Sequence, residues 1–245
     1  DAYSDYLPMV AWVEEEEAFL CIDDGWGQAW ELVPSAYLFA HVHQALLGLL
    51  NIQFATGTVV QLHCFADPLI DEALDAFLDL KSRPDPLIQA SARRTYAYLR
   101  EGTGGLAALH GIPLRNFRLI LSIKTRKPLG ADLRRQIEEQ LSKLGITRLA
   151  PDALITFYRR IFNGVFENAP GVFARGSDDM PARPVRKQLI DAGPDLVFDG
   201  PELFLGDQVA RCLTPKSPAR RVTAERCNRL LGGMRGASED SDQIG

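Results

Sequence analysis

Lysine placement is the first test for nucleotide chemistry in this sequence. A P-loop, G-x-x-x-x-G-K-[S/T], needs a lysine directly after a glycine, because backbone amides, that lysine and a hydroxyl all meet the phosphates and their metal ion. No lysine here follows a glycine; the lysines are Lys81, Lys124, Lys127, Lys143, Lys187 and Lys216. The sequence therefore excludes a P-loop nucleotide hydrolase within this chain.

The segment Gly102–Ala107 has the loose dinucleotide-binding pattern G-x-G-x-x-A. That fingerprint follows a strand and opens a helix. Here a helical pattern, Leu87–Arg100, comes before the glycines. We therefore expect a loop and no bound cofactor.

The histidines and cysteines do not have the spacing of a metal site. On a helix His41 and His43 point to different sides, whereas on a strand they would share a face and His63 or Cys64 could join them. No two cysteines have CxxC spacing; they are Cys21, Cys64, Cys212 and Cys227. We expect structural histidines, reduced thiols and no metal.

Acid–base and nucleophilic catalysis have equally little support. Asp23-Asp24 could act as a general acid and base, but Gly25 follows, and the three residues favour a hairpin turn. The nucleophile elbow G-x-S-x-G is absent. We expect no catalytic residue in this chain.

Trp26 is a candidate contact residue for a partner. It lies between Gly25 and Gly27, so its ring has small neighbours and could be exposed. The favoured alternative is a small core that Trp26 forms with Trp12 and Trp30 under the hairpin.

Residues 211–235 hold seven basic residues and one acidic residue. Arg220, Arg221, Arg226 and Arg229 are candidates for phosphate binding or for a docking face. No aromatic residues are interleaved to stack on bases. The pattern favours a docking face or a solvated helix and argues against specific nucleic-acid binding.

Charge divides the chain into two opposed parts. Residues 1–80 have 14 acidic residues and no Lys or Arg, whereas residues 81–245 have 27 basic and 18 acidic residues. One part could dock on the other, each could meet a partner of opposite charge, or both could be solvated faces.

Composition is that of a globular protein with a substantial core, since 46% of the 245 residues are hydrophobic. No apolar run approaches the roughly 18 to 20 residues that span a bilayer. The acidic start lacks the basic and apolar regions of a signal peptide. Together with reduced thiols, these features predict a cytoplasmic protein.

Period-two patterns predict an antiparallel meander in the first 33 residues. Its strands are Met9–Val13, Phe19–Ile22 and Gln28–Val33. Thr58–Phe65 and Phe117–Ile123 alternate in the same way, and we expect both to be interior strands. Shorter strands are predicted at Leu196–Phe198, Leu203–Leu205 and Gln208–Leu213.

Helical patterns lie between these strands. They predict a helix capped by Ser35 that runs to Leu50, and another that opens at Asp67-Pro68 with the proline in its first position. The remaining predicted helices are Leu87–Arg100, Ala131–Leu144, Asp152–Phe162 and Thr223–Leu231.

Strands and helices mix without strict alternation, which favours an α+β fold. We expect a mixed, largely antiparallel sheet with packed helices and an N-terminal β-meander. Residues 1–232 are predicted to form one domain with an irregular loop at about 163–185. Residues 233–245 are small, polar and acidic, and are predicted to be a disordered tail.

Several segments, taken in order, resemble one family. The chain is similar over roughly residues 4–232 to the N-terminal region of F-type TraC ATPases and related integrative-element conjugation ATPases of type IV secretion. The segments are Leu7–Trp12, Phe19–Cys21, Gly25–Pro34, Leu46–Leu50, Gly57–His63, Phe117–Ser122, Leu189–Asp191, Leu203–Asp207 and Leu213–Pro218.

The resemblance implies a non-catalytic assembly and docking domain. In the family the P-loop and acidic motif lie in a C-terminal motor half, so ATP and Mg²⁺ belong there, and no catalytic residue carries over. The implied partners are that motor domain, inner-membrane secretion components and further copies, in a hexameric or dimer-based motor. The implied location is the cytoplasmic face of the inner membrane, where the motor powers pilus biogenesis and DNA transfer. The alternative is a small-molecule- or nucleic-acid-binding domain with an unrecognised site.

Overall fold

A computed structural model of the chain describes residues 3–34, 40–163, 184–190, 196–200, 202–205 and 208–211. The strands are β1 Met9–Val13, β2 Ala18–Cys21, β3 Trp26–Leu32, β4 Val59–Asp67, β5 Asn116–Thr125, β6 Thr147–Arg148, β7 Leu196–Asp199, β8 Glu202–Leu205 and β9 Gln208–Arg211. The α-helices are α1 Ala40–Leu50, α2 Asp71–Asp79, α3 Pro86–Glu101, α4 Ala131–Leu141, α5 Pro151–Asn163 and α6 Arg186–Leu189.

The N-terminal meander is confirmed. β1, β2 and β3 pair antiparallel in sequence order. The turn between β2 and β3 forms where the acidic pair was expected: the Asp23 carboxylate accepts from the Gly25 amide at 3.4 Å, and Asp24 has a φ of +59°. The amide of Cys21 donates to the carbonyl of Gly25 at 2.7 Å, which closes the turn.

The main sheet has the strand order β1-β2-β3-β5-β4, and β6 pairs with β3. Every strand pair in the described residues is antiparallel. With helices packed on this sheet, the predicted α+β class is confirmed.

The position predicted for β4 was wrong. The strand forms, but among the described residues it lies at the edge of the sheet and pairs only with β5. β5 comes later in the chain and inserts between β3 and β4, so the earlier strand is pushed outward. Alternation of apolar and polar residues predicts a strand, but it does not predict which strands lie beside that strand in the sheet.

Two apolar cores lie on opposite faces of the sheet. The first is covered by α1 and α4 and contains Trp30, Leu32, Val42, Ala45, Leu49, Ile52, Leu121, Ile123, Leu129, Ile137, Leu141 and Leu144. The second is covered by α5 and α6 and contains Met9, Phe19, Ala29, Ile120, Leu149, Leu154, Ile155, Phe157, Val185 and Leu189.

These two cores correct the expected tryptophan cluster. Trp30 is fully buried in the first core, whereas Trp12 packs against the second, with its ring 4.7 Å from that of Phe19. Period two in β1 and β3 sends the rings to opposite faces. The tryptophans therefore help to hold both layers of helices on the sheet.

The helices agree with the sequence patterns except at some ends. α1 is described from Ala40, so the predicted Ser35 cap lies outside the described residues. The helix expected to open at Asp67-Pro68 begins instead at Asp71, because Asp67 still belongs to β4 and its carboxylate accepts from the Leu69 amide at 2.9 Å.

α4 ends sooner than predicted. It stops at Leu141, and the turn Ser142–Leu144 is a 3₁₀ helix. Gly145 follows with a φ of +63°, the left-handed conformation that ends helices. The amide of Val33 donates to the carbonyl of Leu144 at 3.0 Å, so this helix end is tied to the end of β3.

The predicted C-terminal strands are confirmed as a separate three-stranded sheet in the order β7-β8-β9. Most of the predicted loop at 163–185, the helix at Thr223–Leu231 and the tail at 233–245 lie outside the described residues. Within the described part of the chain, no helix is both long enough and apolar enough to cross a membrane.

Candidate interaction surfaces

The opposed charges of the two chain parts meet inside the fold. Seven ion pairs in the described residues join an acid of residues 1–80 to a base of residues 81–245. They are Asp71–Arg100, Glu31–Arg118, Asp23–Lys124, Glu17–Arg134, Glu17–Arg148, Asp67–Arg160 and Asp5–Lys187. The first reading of the charge split, in which one part docks on the other, therefore holds for these residues.

The pair between Arg118 and Glu31 joins two neighbouring strands of the sheet. Nε and Nη2 of the guanidinium donate to the two carboxylate oxygens at 2.6 and 2.7 Å, and the guanidinium carbon lies 4.9 Å from the centre of the Phe157 ring. Donation of these hydrogen bonds to Glu31 raises the pKa of Arg118 above its usual value. The bidentate pair orients the guanidinium, and the contact of that guanidinium with Phe157 links α5 to the sheet.

The pair between Arg160 and Asp67 is more deeply buried. Asp67 is fully buried, and its Oδ2 accepts from Nη1 of Arg160 at 3.0 Å. Its other oxygen accepts from the Leu69 amide. Nε of Arg160 is buried without a hydrogen-bond partner in the described residues. The pair clamps α5 onto the last residue of β4.

A cleft of about 500 Å³ opens beside these pairs. Its charged lining is Glu31, Glu72, Arg118 and Arg160. The hydroxyl in its wall, that of Thr156, donates to the carbonyl of Asp152 at 2.8 Å. Glu31, Arg118 and Arg160 are each held by a partner of opposite charge, so the charged groups of this cleft also connect elements of the fold.

A second cleft, of about 420 Å³, lies at the β2–β3 turn and contains Asp23, Asp24, Lys124 and Arg126. The carboxylate of Asp23 accepts from Nζ of Lys124 at 2.6 Å. This bond lowers the pKa of Asp23 and raises the pKa of Lys124. Both shifts favour the charged forms, so the two groups form an ion pair that joins the β2–β3 turn to β5.

The β1–β2 turn is an acidic projection that is held at its base by arginines. Arg134 donates to the carbonyl of Glu16 at 2.8 Å, and Arg148 pairs with both Glu17 and Glu138. Glu138 also accepts from the indole of Trp30 at 2.9 Å. The exposed carboxylates of Glu14 and Glu15 lie beyond this anchor.

The outer edge of β4 is the third surface. From Val59 to Cys64 each residue is exposed. Val60 and Leu62, which are 39% and 49% exposed, lie on the face that α1 and α4 cover elsewhere, because they pair with Ile123 and Leu121 of β5. Phe117 on β5 is 41% exposed. The helices thus leave an apolar strip open along this edge.

The predicted contact residues fall in different places. Trp26 is the first residue of β3 and is half-buried, opposite Thr125 of β5. Arg220, Arg221, Arg226 and Arg229 lie outside the described residues. Trp26 is therefore the one candidate whose position is given by the described residues.

The residues weighed as metal ligands are also separate. His41 and His43 are exposed on α1, as a helix requires, and His63 is on β4 with its ring 3.3 Å from the Ser122 hydroxyl. The described residues contain no group of three or more side chains that could hold a metal ion.

Sequence reasoning did not find the buried pairs or the open edge. A signal for the pairs was present, because acids and bases in separate parts of one chain can neutralise each other in the fold. The edge had no local signal, since it depends on the order of strands that are distant in sequence.

In a comparison with known families, the family described as TraC protein matches residues 3–245. A comparison with curated proteins found no match.

Proposed function

The chain belongs to the TraC protein family, which acts in conjugative type IV secretion, and from this premise we propose that it is a non-catalytic docking and assembly domain. Its partners are the ATP-hydrolysing motor domain, inner-membrane components of the secretion system and further copies of the protein. ATP and Mg²⁺ belong to the motor, and the domain holds the motor at the cytoplasmic face of the inner membrane.

The observation that supports docking most directly is the open edge of β4. Its backbone groups on one side, and the side chains of Val60 and Leu62, are uncovered in the described part of the chain. Exposed apolar strips at a sheet edge mark sites where another chain binds.

Acidic residues that are exposed at the surface support the same proposal. Glu14 and Glu15 project from the β1–β2 turn, and Glu72, Asp75 and Asp79 are exposed on α2. These acids form patches suited to a basic partner surface, and complementary charge speeds and orients such contacts.

The two clefts favour docking over a hidden enzyme site. Their central acids and bases are the ion pairs Glu31–Arg118, Asp67–Arg160 and Asp23–Lys124, which connect elements of the fold. Purified chain is expected to hydrolyse no ATP with Mg²⁺. Turnover that co-purifies with the chain and is lost on mild heating would contradict the proposal and would support the alternative of an unrecognised binding site.

Docking is tested by sedimentation with inner membranes from cells that carry a conjugative secretion system and from cells that lack it. The chain is expected to sediment only with the first. Replacing Glu14 and Glu15 by Lys should weaken this binding, whereas the same double change at Asp132 and Glu139, both exposed on α4, is the matched control. Equal binding to both membranes would refute docking to the secretion machinery.

Direct attachment to lipid is a separable outcome. Vesicles of phosphatidylcholine with and without phosphatidylglycerol measure it, because a basic surface binds the anionic vesicles only. If both these vesicle assays and the membrane assays are indifferent to charge reversal, the charge-based part of the proposal fails.

A further inference from the structure

The two edge strands of the main sheet, β1 and β4, differ in their hydrogen bonding on the outer side. At the β1 edge, the carbonyl of Val10 accepts from the amide of Val185 at 2.7 Å. At the β4 edge no strand of the described residues pairs with the outer side. Another segment of the chain therefore bonds to the β1 edge, whereas the β4 edge is open in the described residues.

The open edge lacks the features that keep exposed strands apart. Proteins protect such edges with lysine or another charge, proline, a bulge or a very short strand. β4 is nine residues long, pairs with β5 without a break in register, and carries no charge or proline from Val59 to Ala66. Its one charge, Asp67, is buried against Arg160. This edge is built to accept a strand.

The two ends of β4 carry opposite charge. Near Val59, the guanidinium of Arg126 lies beside Gly57, and Arg126 and Lys127 are both exposed. Beyond the other end, α2 has four acidic residues and no basic one; they are Asp71, Glu72, Asp75 and Asp79. Arg100 pairs with the first of these and leaves the other three exposed.

Because one end of β4 is basic and the other is acidic, this edge is complementary in charge to the same edge of a second copy that runs antiparallel to it. The acidic α2 of each copy then lies near Arg126 and Lys127 of the other. In a parallel arrangement like charges would meet at both ends, which costs binding energy.

Side-chain order supports the same pairing. His63 is the middle residue of β4, and a two-fold axis there pairs all nine residues. Val60 then faces Ala66 of the other copy, and Leu62 faces Cys64. These apolar side chains lie on one face and continue the strip that α1 and α4 leave open.

We propose that β4 pairs antiparallel with β4 of a second copy about a two-fold axis at His63, so that the main sheet runs through both copies. The geometry of this contact does not depend on the proposed function. Its role in assembling the secretion motor rests on that function.

The first test is the mass of the whole chain in solution by light scattering over a dilution series. The wild-type chain is expected to be a dimer, and Leu62→Lys is expected to raise the dimer dissociation constant by about a hundredfold, since each dimer carries the change twice. Leu87→Lys is the matched control, because Leu87 is 79% exposed on α3. A monomeric wild-type chain, or a dimer unaffected by Leu62→Lys, would overturn the proposal.

The second test fixes direction and register. In the proposed dimer a cysteine at position 62 faces Cys64 of the other copy, so Leu62→Cys should form a covalent dimer on mild oxidation, and peptide mapping should identify that bond. In the wild-type dimer the two Cys64 residues are diagonal neighbours, beyond the usual reach of a disulfide. Leu87→Cys serves as the control. If the Leu62→Cys chain still forms a dimer but no disulfide to Cys64 appears on oxidation, this register is excluded.

Salt provides an independent check of the charged ends. Raising the salt concentration, or replacing both Arg126 and Lys127 by Glu, should weaken the dimer. A dimer that strengthens with salt would indicate that like ends meet, and the antiparallel arrangement would be wrong.

The membrane assay with Leu62→Lys separates this inference from the proposed function. If that variant is monomeric but still sediments with membranes that carry the secretion system, docking stands without the dimer. If the dimer forms but sedimentation does not require the secretion system, the β4 contact stands and the docking function fails.

Discussion

Asp67 is a buried carboxylate that depends on a partner of opposite charge. It is fully buried, and its two oxygens accept from Arg160 and from the Leu69 amide. Asp67→Ala leaves the Arg160 guanidinium buried without its counter-ion, which costs about 3 kcal/mol of the free energy of unfolding.

Urea denaturation of Asp67→Ala and of Asp132→Ala measures this difference. Asp132 pairs with Arg135 at the surface of α4, where removal of an ion pair costs less than about 1 kcal/mol. Equal losses in the two variants would show that burial adds nothing to the Asp67 pair.

Glu138 makes stability depend on pH in the acid range. Burial raises the pKa of its carboxyl, but the hydrogen bonds from Trp30 and Arg148 outweigh burial, and the pKa lies below its ordinary value of 4.5. The unfolded chain therefore binds the proton more tightly than the folded chain does. The stabilisation is fully present above the ordinary pKa and is lost as pH falls through the folded one.

We expect Glu138→Gln to cost more stability at about pH 7 than at about pH 3, because the stabilisation by the wild-type carboxylate declines as pH falls below the ordinary pKa. Denaturant midpoints of both proteins across this range provide the measurement. A difference in stability that stays constant with pH would mean that the charge of Glu138 does not matter.

At the scale of elements, the end of α4 depends on Gly145. Its φ is +63°, and a β-carbon there would lie 2.7 Å from Cγ2 of Val33. Gly145→Ala should therefore cost about 1–2 kcal/mol of stability, from left-handed strain and from displacement of Val33.

Gly104→Ala is the comparison for this element, since a β-carbon at Gly104 would meet nothing within 4 Å. We expect it to change the thermal midpoint far less than Gly145→Ala does. If the two midpoints fell together, the helix stop would not be the reason that residue 145 is a glycine.

The elements show which features a sequence can predict. The meander, α3, α5 and β5 follow from local period, turn residues and caps, and the structure confirms each of them. The edge position of β4 could not be predicted, because it is decided by β5, whose residues pair with strands on both sides. The buried pair of Asp67 and Arg160 joins distant residues and had no local pattern either.

The same division applies to the candidate surfaces. The residues Asp23-Asp24-Gly25 correctly predicted a hairpin turn. The ion pair between Asp23 and Lys124 was not predicted. For Trp26 the flanking glycines suggested exposure, but strand pairing on both sides leaves the residue half-buried. The exposure of a side chain depends on its neighbours in space, and these cannot be inferred from the adjacent glycines in the sequence.

At the scale of the whole molecule, the acidic and basic parts of the chain are interleaved. β5 of the basic part lies between β3 and β4 of the acidic part, and seven ion pairs join the two parts. Neither part has a complete sheet or a complete core by itself.

A chain cut within the exposed segment 81–85 tests this interdependence. We expect each fragment alone to lack a cooperative thermal transition, and the mixture to regain one with an affinity that falls as salt is raised. Circular dichroism of the fragments, separate and mixed, shows this directly. A cooperative transition in either fragment alone would mean that the parts fold independently.

The insertion of β5 also determines what can fold while the protein is being synthesised. The meander can form as soon as Leu32 leaves the ribosome, but β4 ends at Asp67 and its partner begins only at Asn116. During that interval the nascent chain carries β4, which has no charged residue from Val59 to Ala66 other than His63 when protonated, before β5 is available to pair with it. Unpaired strands of this kind are prone to aggregate. Slow translation between these two strands would therefore prolong the need for chaperones, whereas slow translation after Thr125 would not.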